Sequence, residues 1–213
     1  MVTKICQIKG SNGSGKTTIV KQLIHFSSDV KVLTLKSTGE VFATAMDDIG
    51  WVAIGDYPED KKMGGCDKFP RPGTVSLIKD AIRTAMIARP DYWIVFEGMM
   101  ISTIKSTFYH YLLMLEMSEG IIPLFVILNA DVQGCMDRLG DRGTARSNRS
   151  KLVENVGSKC ELVVRHARTY EPKYVRWLDV ENIPVDRMAL EFIKAVDDVT
   201  LEDELSLCPL QMR

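Results

Sequence analysis

A chain of 213 residues with 46% apolar and 26% charged residues has the composition of a globular domain, which excludes the low-hydrophobicity, high-charge signature of disorder. Its net charge of −1 gives no bulk basic footprint for non-specific nucleic-acid binding, although a local basic groove stays open. The five cysteines never fall in a C-x-x-C spacing and the three histidines lie far apart, which argues against a disulfide framework and a zinc site.

"TKICQI" (3–8) is short and β-prone, and it runs into "KGSNGSGKTT", after which Ile19, Val20, Leu23 and Ile24 recur at helical spacing. This is strand, loop, helix, and no signal peptide is expected before it. Further strands are expected at 30–35, 92–98, 121–129 and 174–180, with helices from Ser106, after the Asp131 cap and following the basic stretch 138–151, with Leu152, Val156, Cys160 and Val163 on one face. Strands alternating with helices predict an α/β fold with a parallel five-stranded sheet flanked by helices, a three-layer sandwich. Residues 38–73 interrupt that rhythm with a hairpin (Val41 to Ala45, Trp51 to Ile54) and a loop rich in Gly, Pro and charge. Residues 1–196 are expected to form one domain and 197–213 a tail, with monomer and homodimer both open. No apolar run approaches ~18 residues, so the expectation is a cytoplasmic protein without membrane contact.

Gly10, Gly15, Lys16 and Thr17 satisfy G-x-x-x-x-G-K-[ST], with Ser11, Asn12, Gly13 and Ser14 filling the gap and Thr18 following. Backbone N–H groups of such a turn converge on a phosphate chain, the helix dipole and Lys16 add positive charge, and Thr17 offers a hydroxyl to Mg²⁺. The motif sits between a strand and a helix, the context it requires. In "WIVFEG" the apolar run delivers Glu97 to the carboxyl edge of the sheet, where it can serve the metal or take a proton from an acceptor hydroxyl. After strand two come Asp56, Tyr57, Gly64, Gly65, Cys66, Asp67 and Phe69. Gly64-Gly65 lets Asp67 turn into the cleft, and Tyr57 and Phe69 offer faces for stacking. Arg71 or Arg83 is a candidate for an acceptor phosphate, and Lys61, Lys62, Lys68 and Arg71 with Phe69 for a polymeric acceptor. Arg138, Arg142, Arg146, Arg149 and Lys151 crowd a span of 14 residues, 138–151, and guanidinium groups match the equatorial oxygens of a transferring phosphoryl group.

On the phosphate-loop residues the chain resembles the P-loop NTPase superfamily, and the spacing of its other motifs is similar to the nucleoside and nucleotide kinase group over most of residues 1–196. That resemblance implies an ATP-dependent kinase with Mg²⁺, residues 38–73 binding the acceptor and 138–151 closing as a lid. "GDY…GGCD" followed by "FEG" also resembles phage-encoded P-loop kinases, including those acting on 5-hydroxymethyluracil within DNA, and that likeness implies Asp67 as a candidate base for the acceptor hydroxyl, with Asp56 and Glu97 as competitors. The acceptor is then nucleoside- or nucleotide-like, either free or a hydroxymethylated base in DNA. An ATPase that switches a partner by hydrolysis is the competing reading.

Overall fold

The computed structural model describes residues 2–35, 39–59, 64–70, 73–104, 106–141 and 149–197. Lys61, Lys62, Arg71, Arg142 and Arg146, and the tail beyond Asp197, lie outside the described residues. The strands are β1 (Lys4–Lys9), β2 (Val30–Thr34), β3 (Val41–Met46), β4 (Trp51–Ile54), β5 (Trp93–Glu97), β6 (Ile122–Asn129) and β7 (Val175–Asp179). The α-helices are α1 (Lys16–Phe26), α2 (Thr74–Ala88), α3 (Met99–Ser102), α4 (Ser106–Glu119), α5 (Val132–Asp141), α6 (Arg149–Ala167) and α7 (Met188–Asp197).

One sheet of seven strands in the order β2-β3-β4-β5-β1-β6-β7 replaces the expected five parallel strands. The sheet is mixed: β3 pairs antiparallel with both β2 and β4, while β4-β5-β1-β6-β7 are parallel. The difference lies in the hairpin. "WVAI" of β4 is buried along its whole length and takes the place beside β5, where a strand with both faces covered must be apolar throughout. In β2, by contrast, Lys31 and Thr34 interrupt the apolar run, and the strand stays at the exposed edge. Across the β4–β5 pair Trp51 faces Trp93, with ring centroids 5.0 Å apart and planes 8° off parallel. The hairpin is therefore part of the sheet rather than an appendage to it.

Alternation along the central strands sends side chains into two cores. Ile5, Phe96 and Phe125 pack beneath α2, α4 and α6, whereas Cys6, Ile8, Val95 and Val126 pack beneath α1 and α7. Helices α2 and α7 were not among the expected elements. Ile78, Ala81, Ile82 and Ala85 on α2 and Met188, Ala189, Phe192 and Val196 on α7 form their buried stripes. Helices on both faces confirm the three layers.

Lys9, the last residue of β1, is 0% exposed. Its Nζ donates to Tyr170 Oη at 3.0 Å and to the Ile104 carbonyl at 3.3 Å. Burial holds its ammonium down to about 8 from 10.5. Between those values the unfolded chain carries a proton that the folded chain has released, so stability rises with pH across that window; below it the cost of burying the charge is fully present. Relative to Lys9→Met, the wild type should gain up to roughly 3 kcal/mol on going from pH 7.5 to 10.5, read from urea unfolding of both proteins. A difference that stays flat with pH would mean Lys9 keeps its charge throughout.

Candidate active site

The turn after β1 runs from Gly10 to Gly15, with Gly13 at φ 77° and Gly15 at φ 98°. Gly13 also lies against α5: a Cβ there would sit 2.3 Å from the Cys135 carbonyl oxygen. Ser14 Oγ donates to the Ser11 carbonyl at 3.0 Å, closing the bend from inside. Gly15 caps α1 without a side-chain cap bond of its own, so the positive end of the helix dipole faces the cleft. Lys16 is 6% exposed, and its Nζ donates to the carbonyls of Gly10 at 2.9 Å and Ser11 at 2.7 Å.

Glu97 reaches the same place from the end of β5 and is 1% exposed. Its Oε1 accepts from Thr17 Oγ1 at 3.0 Å, so the two residues proposed from sequence to hold magnesium are brought together. A turn with two left-handed glycines, a cation, a hydroxyl and a buried carboxylate fits a triphosphate with its divalent ion. The phosphates would fall to the loop amides, Thr18 among the residues that follow them, and to Lys16, and the ion to Thr17, with Glu97 beside it in reach of either the ion or an acceptor hydroxyl.

The segment after β4 forms the opposite wall. Asp56 pairs with Gly65, whose N–H donates to the Asp56 carbonyl at 2.8 Å. Gly65 has φ 84° and ψ −160°, a region closed to other residues, and a Cβ on it would meet Glu97 Oε1 at 2.2 Å. Gly65→Ala is therefore expected to cost roughly 2–4 kcal/mol of stability and to displace the carboxylate. A thermal melt and an activity assay on the same sample check both.

Asp67 follows at the entrance to α3. Its Oδ2 accepts from the Met99 amide at 2.7 Å and its Oδ1 from the Met100 amide at 3.3 Å. Both oxygens thus hold the chain just past Glu97. Tyr57, expected to offer a stacking face, is instead buried in the core under α1, with its O–H donating to the Ile54 carbonyl at 3.3 Å. The apolar residues around it explain the difference. Burial first, and the nearby Glu97 charge second, push the Tyr57 phenol and the Cys66 thiol well above their usual range. Both stay protonated as a neutral wall beside Glu97.

Phe69 keeps a partly open ring. With Asp56, Phe42, Lys68, Asp80 and Thr84 it lines a groove of about 340 Å³ between β3 and α2. On the other flank, Arg138 does not stand free over the cleft: its Nε donates to the Gly13 carbonyl at 2.6 Å and its Nη2 to Glu181 Oε1 at 2.9 Å. Glu181 and Lys9 were missed in the sequence reading. Glu181 lies in the loop after β7 with no local pattern to mark it; Lys9 offered only its place beside Gly10.

Residues 1–189 match the 5-hmdU DNA kinase family. This chain belongs to that family. It is 27% identical over 185 residues to the 5-hmdU DNA kinase of Bacillus phage SP10, covering 85% of this chain and 27% of that protein. It is likewise 27% identical over 172 residues to 5-hmdU DNA kinase 1 of Salmonella phage ViI, covering 77% of this chain and 69% of that one. The chain thus spans little more than a quarter of the SP10 protein's length. Among solved structures it overlaps deoxyadenosine kinase from M. mycoides with bound dATP (13% identity, TM-score 0.43, 91% of this chain and 99% of that one). It also overlaps a fungal RNA kinase (12% identity, TM-score 0.44, 99% and 93%). Overlaps this loose say nothing about substrate. Among the described residues no helix is long and apolar enough to cross a membrane.

Proposed function

We propose that this chain is an ATP-dependent kinase whose acceptor is the hydroxymethyl oxygen of 5-hydroxymethyluracil in DNA. The observation that carries the reading is the buried Glu97 carboxylate 3.0 Å from the Thr17 hydroxyl of the phosphate loop, in a chain of the 5-hmdU DNA kinase family. ATP with magnesium would supply the γ-phosphoryl group and neutralise part of its charge. Glu97 orients the acceptor hydroxyl and takes up its proton, since a carboxylate at the sheet edge next to the loop is placed for general-base work. Asp67 keeps that edge in position by holding the first amides of α3. Arg138 fixes the far side of the loop through the Gly13 carbonyl.

The groove beside Phe69 and Asp56 receives the base. Its volume of about 340 Å³ is large enough for a base drawn out of the stack. The Phe69 ring supports the base face, and the Asp56 carboxylate is an acceptor for a base N–H.

The test uses γ-labelled ATP with DNA containing 5-hydroxymethyluracil, unmodified DNA, free 5-hydroxymethyldeoxyuridine and common nucleotides. Label is expected in the hydroxymethylated DNA. Label confined to free nucleosides or nucleotides would overturn the acceptor, and label released only as inorganic phosphate would overturn the kinase in favour of an ATPase switch.

A further inference from the structure

Helices α5 and α6 close on a small apolar core of their own, built from Cys135, Met136, Leu139 and Val156 with Leu152 and Cys160 against it. Two thiols in that core meet at one hydroxyl of the phosphate loop. Ser11 Oγ lies 3.2 Å from Cys135 Sγ and accepts from Cys160 Sγ at 3.1 Å. Cys135 is fully buried, whereas Cys160 is half-buried and reaches solvent. The phosphate-transfer chemistry above has no use for sulfur here.

We propose that Cys135 and Cys160 form a reversible disulfide, a modification site that controls the grip of the phosphate loop on its nucleotide. It rests on the reading of that loop as the ATP site. Two sulfurs sharing one small hydroxyl need only a short approach to reach the ~2.05 Å of a disulfide.

The oxidant is a hydroperoxide. The Ser11 hydroxyl bridges the two sulfurs, so it can pass the Cys160 proton to a Cys135 thiolate and leave the thiolate on the sulfur that solvent reaches. Hydrogen bonding from Cys160, opposed by burial and helped by Ser11 and Arg138, brings the Cys135 thiol down to about 6, while that same hydrogen bond and burial push the Cys160 thiol up, so the thiolate of the pair rests on Cys135 and reaches Cys160 only as the minor form that the Ser11 relay supplies. Cys160 attacks the peroxide, whose O–O bond breaks; an S–O bond forms, and the other oxygen leaves as an alcohol or water after taking a proton. Cys135 then attacks the Cys160 sulfenic acid: the S–S bond forms, the S–O bond breaks, and hydroxide departs as water with the Cys135 proton. Two thiols are oxidised and one peroxide is reduced. A dithiol reductant reverses the link.

Drawing the sulfurs together takes both partners from Ser11. It also moves the Cys135 backbone, which Gly13 packs against so closely that a Cβ would sit 2.3 Å from the carbonyl oxygen. The loop amides then lose their alignment.

The whole chain is treated with hydrogen peroxide, digested for peptide mapping, and titrated with ATP by calorimetry before and after dithiothreitol. The expected result is a linked Cys135–Cys160 peptide and ATP affinity reduced by about tenfold or more, both restored by reductant. Cys160→Ser should bind ATP like the wild type when reduced and should not respond to peroxide. Absence of the linked peptide, a linked protein with unchanged ATP affinity, or a Cys160→Ser protein that weakens like the wild type would each overturn the proposal. If the reduced wild type binds no ATP, the reading of the loop fails, and the peptide map still decides whether the disulfide forms.

Discussion

Glu97→Gln is expected to lower phosphoryl transfer by about a thousandfold while leaving ATP bound. The amide is isosteric and its oxygen can still accept from Thr17 Oγ1, so the 3.0 Å contact and the packing around it survive. Only the charge and the capacity to take a proton are lost. Because the group is 1% exposed, water does not replace it. The measurement is a single-turnover rate on hydroxymethylated DNA beside an ATP titration. A rate within tenfold of wild type would remove Glu97 from the reaction and leave Asp67 or Asp56 to be tested. A collapse of ATP binding with an otherwise intact fold would assign Glu97 to the metal alone.

The second large effect is expected from Lys16→Ala: transfer falls by a thousandfold or more, and ATP binding by roughly ten- to a hundredfold. Lys16 has two tasks. Its charge would answer the phosphates, and its Nζ ties the Gly10 and Ser11 carbonyls at 2.9 and 2.7 Å, which keeps the bend wound. Truncation leaves both carbonyls without that donor as well as removing the cation. Lys16→Arg is not a rescue, because a planar fork cannot occupy the place of a compact ammonium at 6% exposure. Circular dichroism controls for folding. Transfer within tenfold of wild type would show that the phosphates are held elsewhere.

The sequence made some parts of this molecule legible and hid others for physical reasons. The phosphate loop is contiguous, and its glycines and lysine are required by local geometry, so Gly10 to Thr17 could be read directly. Glu97 was legible because an apolar strand ending in an acid fixes which edge the acid reaches. The place of β4 was not. "WVAI" and "VKVLT" are both short β-prone runs, and which one lies beside β5 depends on burial on two faces across more than forty residues. Tyr57 misled for a related reason: next to Asp56 it looks like a loop aromatic, and only the core beneath α1 shows that its ring is covered. The ties of Arg138 to Gly13 and Glu181 join positions 125 and 43 apart in sequence, beyond any local pattern.

The hydrogen bond that fastens Asp56 to Gly65 couples two ends of the site. Chain leaving the sheet at Asp56 returns nine residues later to almost the same point, and the return fixes Gly65 against Glu97. Asp56 lines the groove and Gly65 lies against the carboxylate, so the clasp works as a linkage in which a push on one jaw is felt at the other.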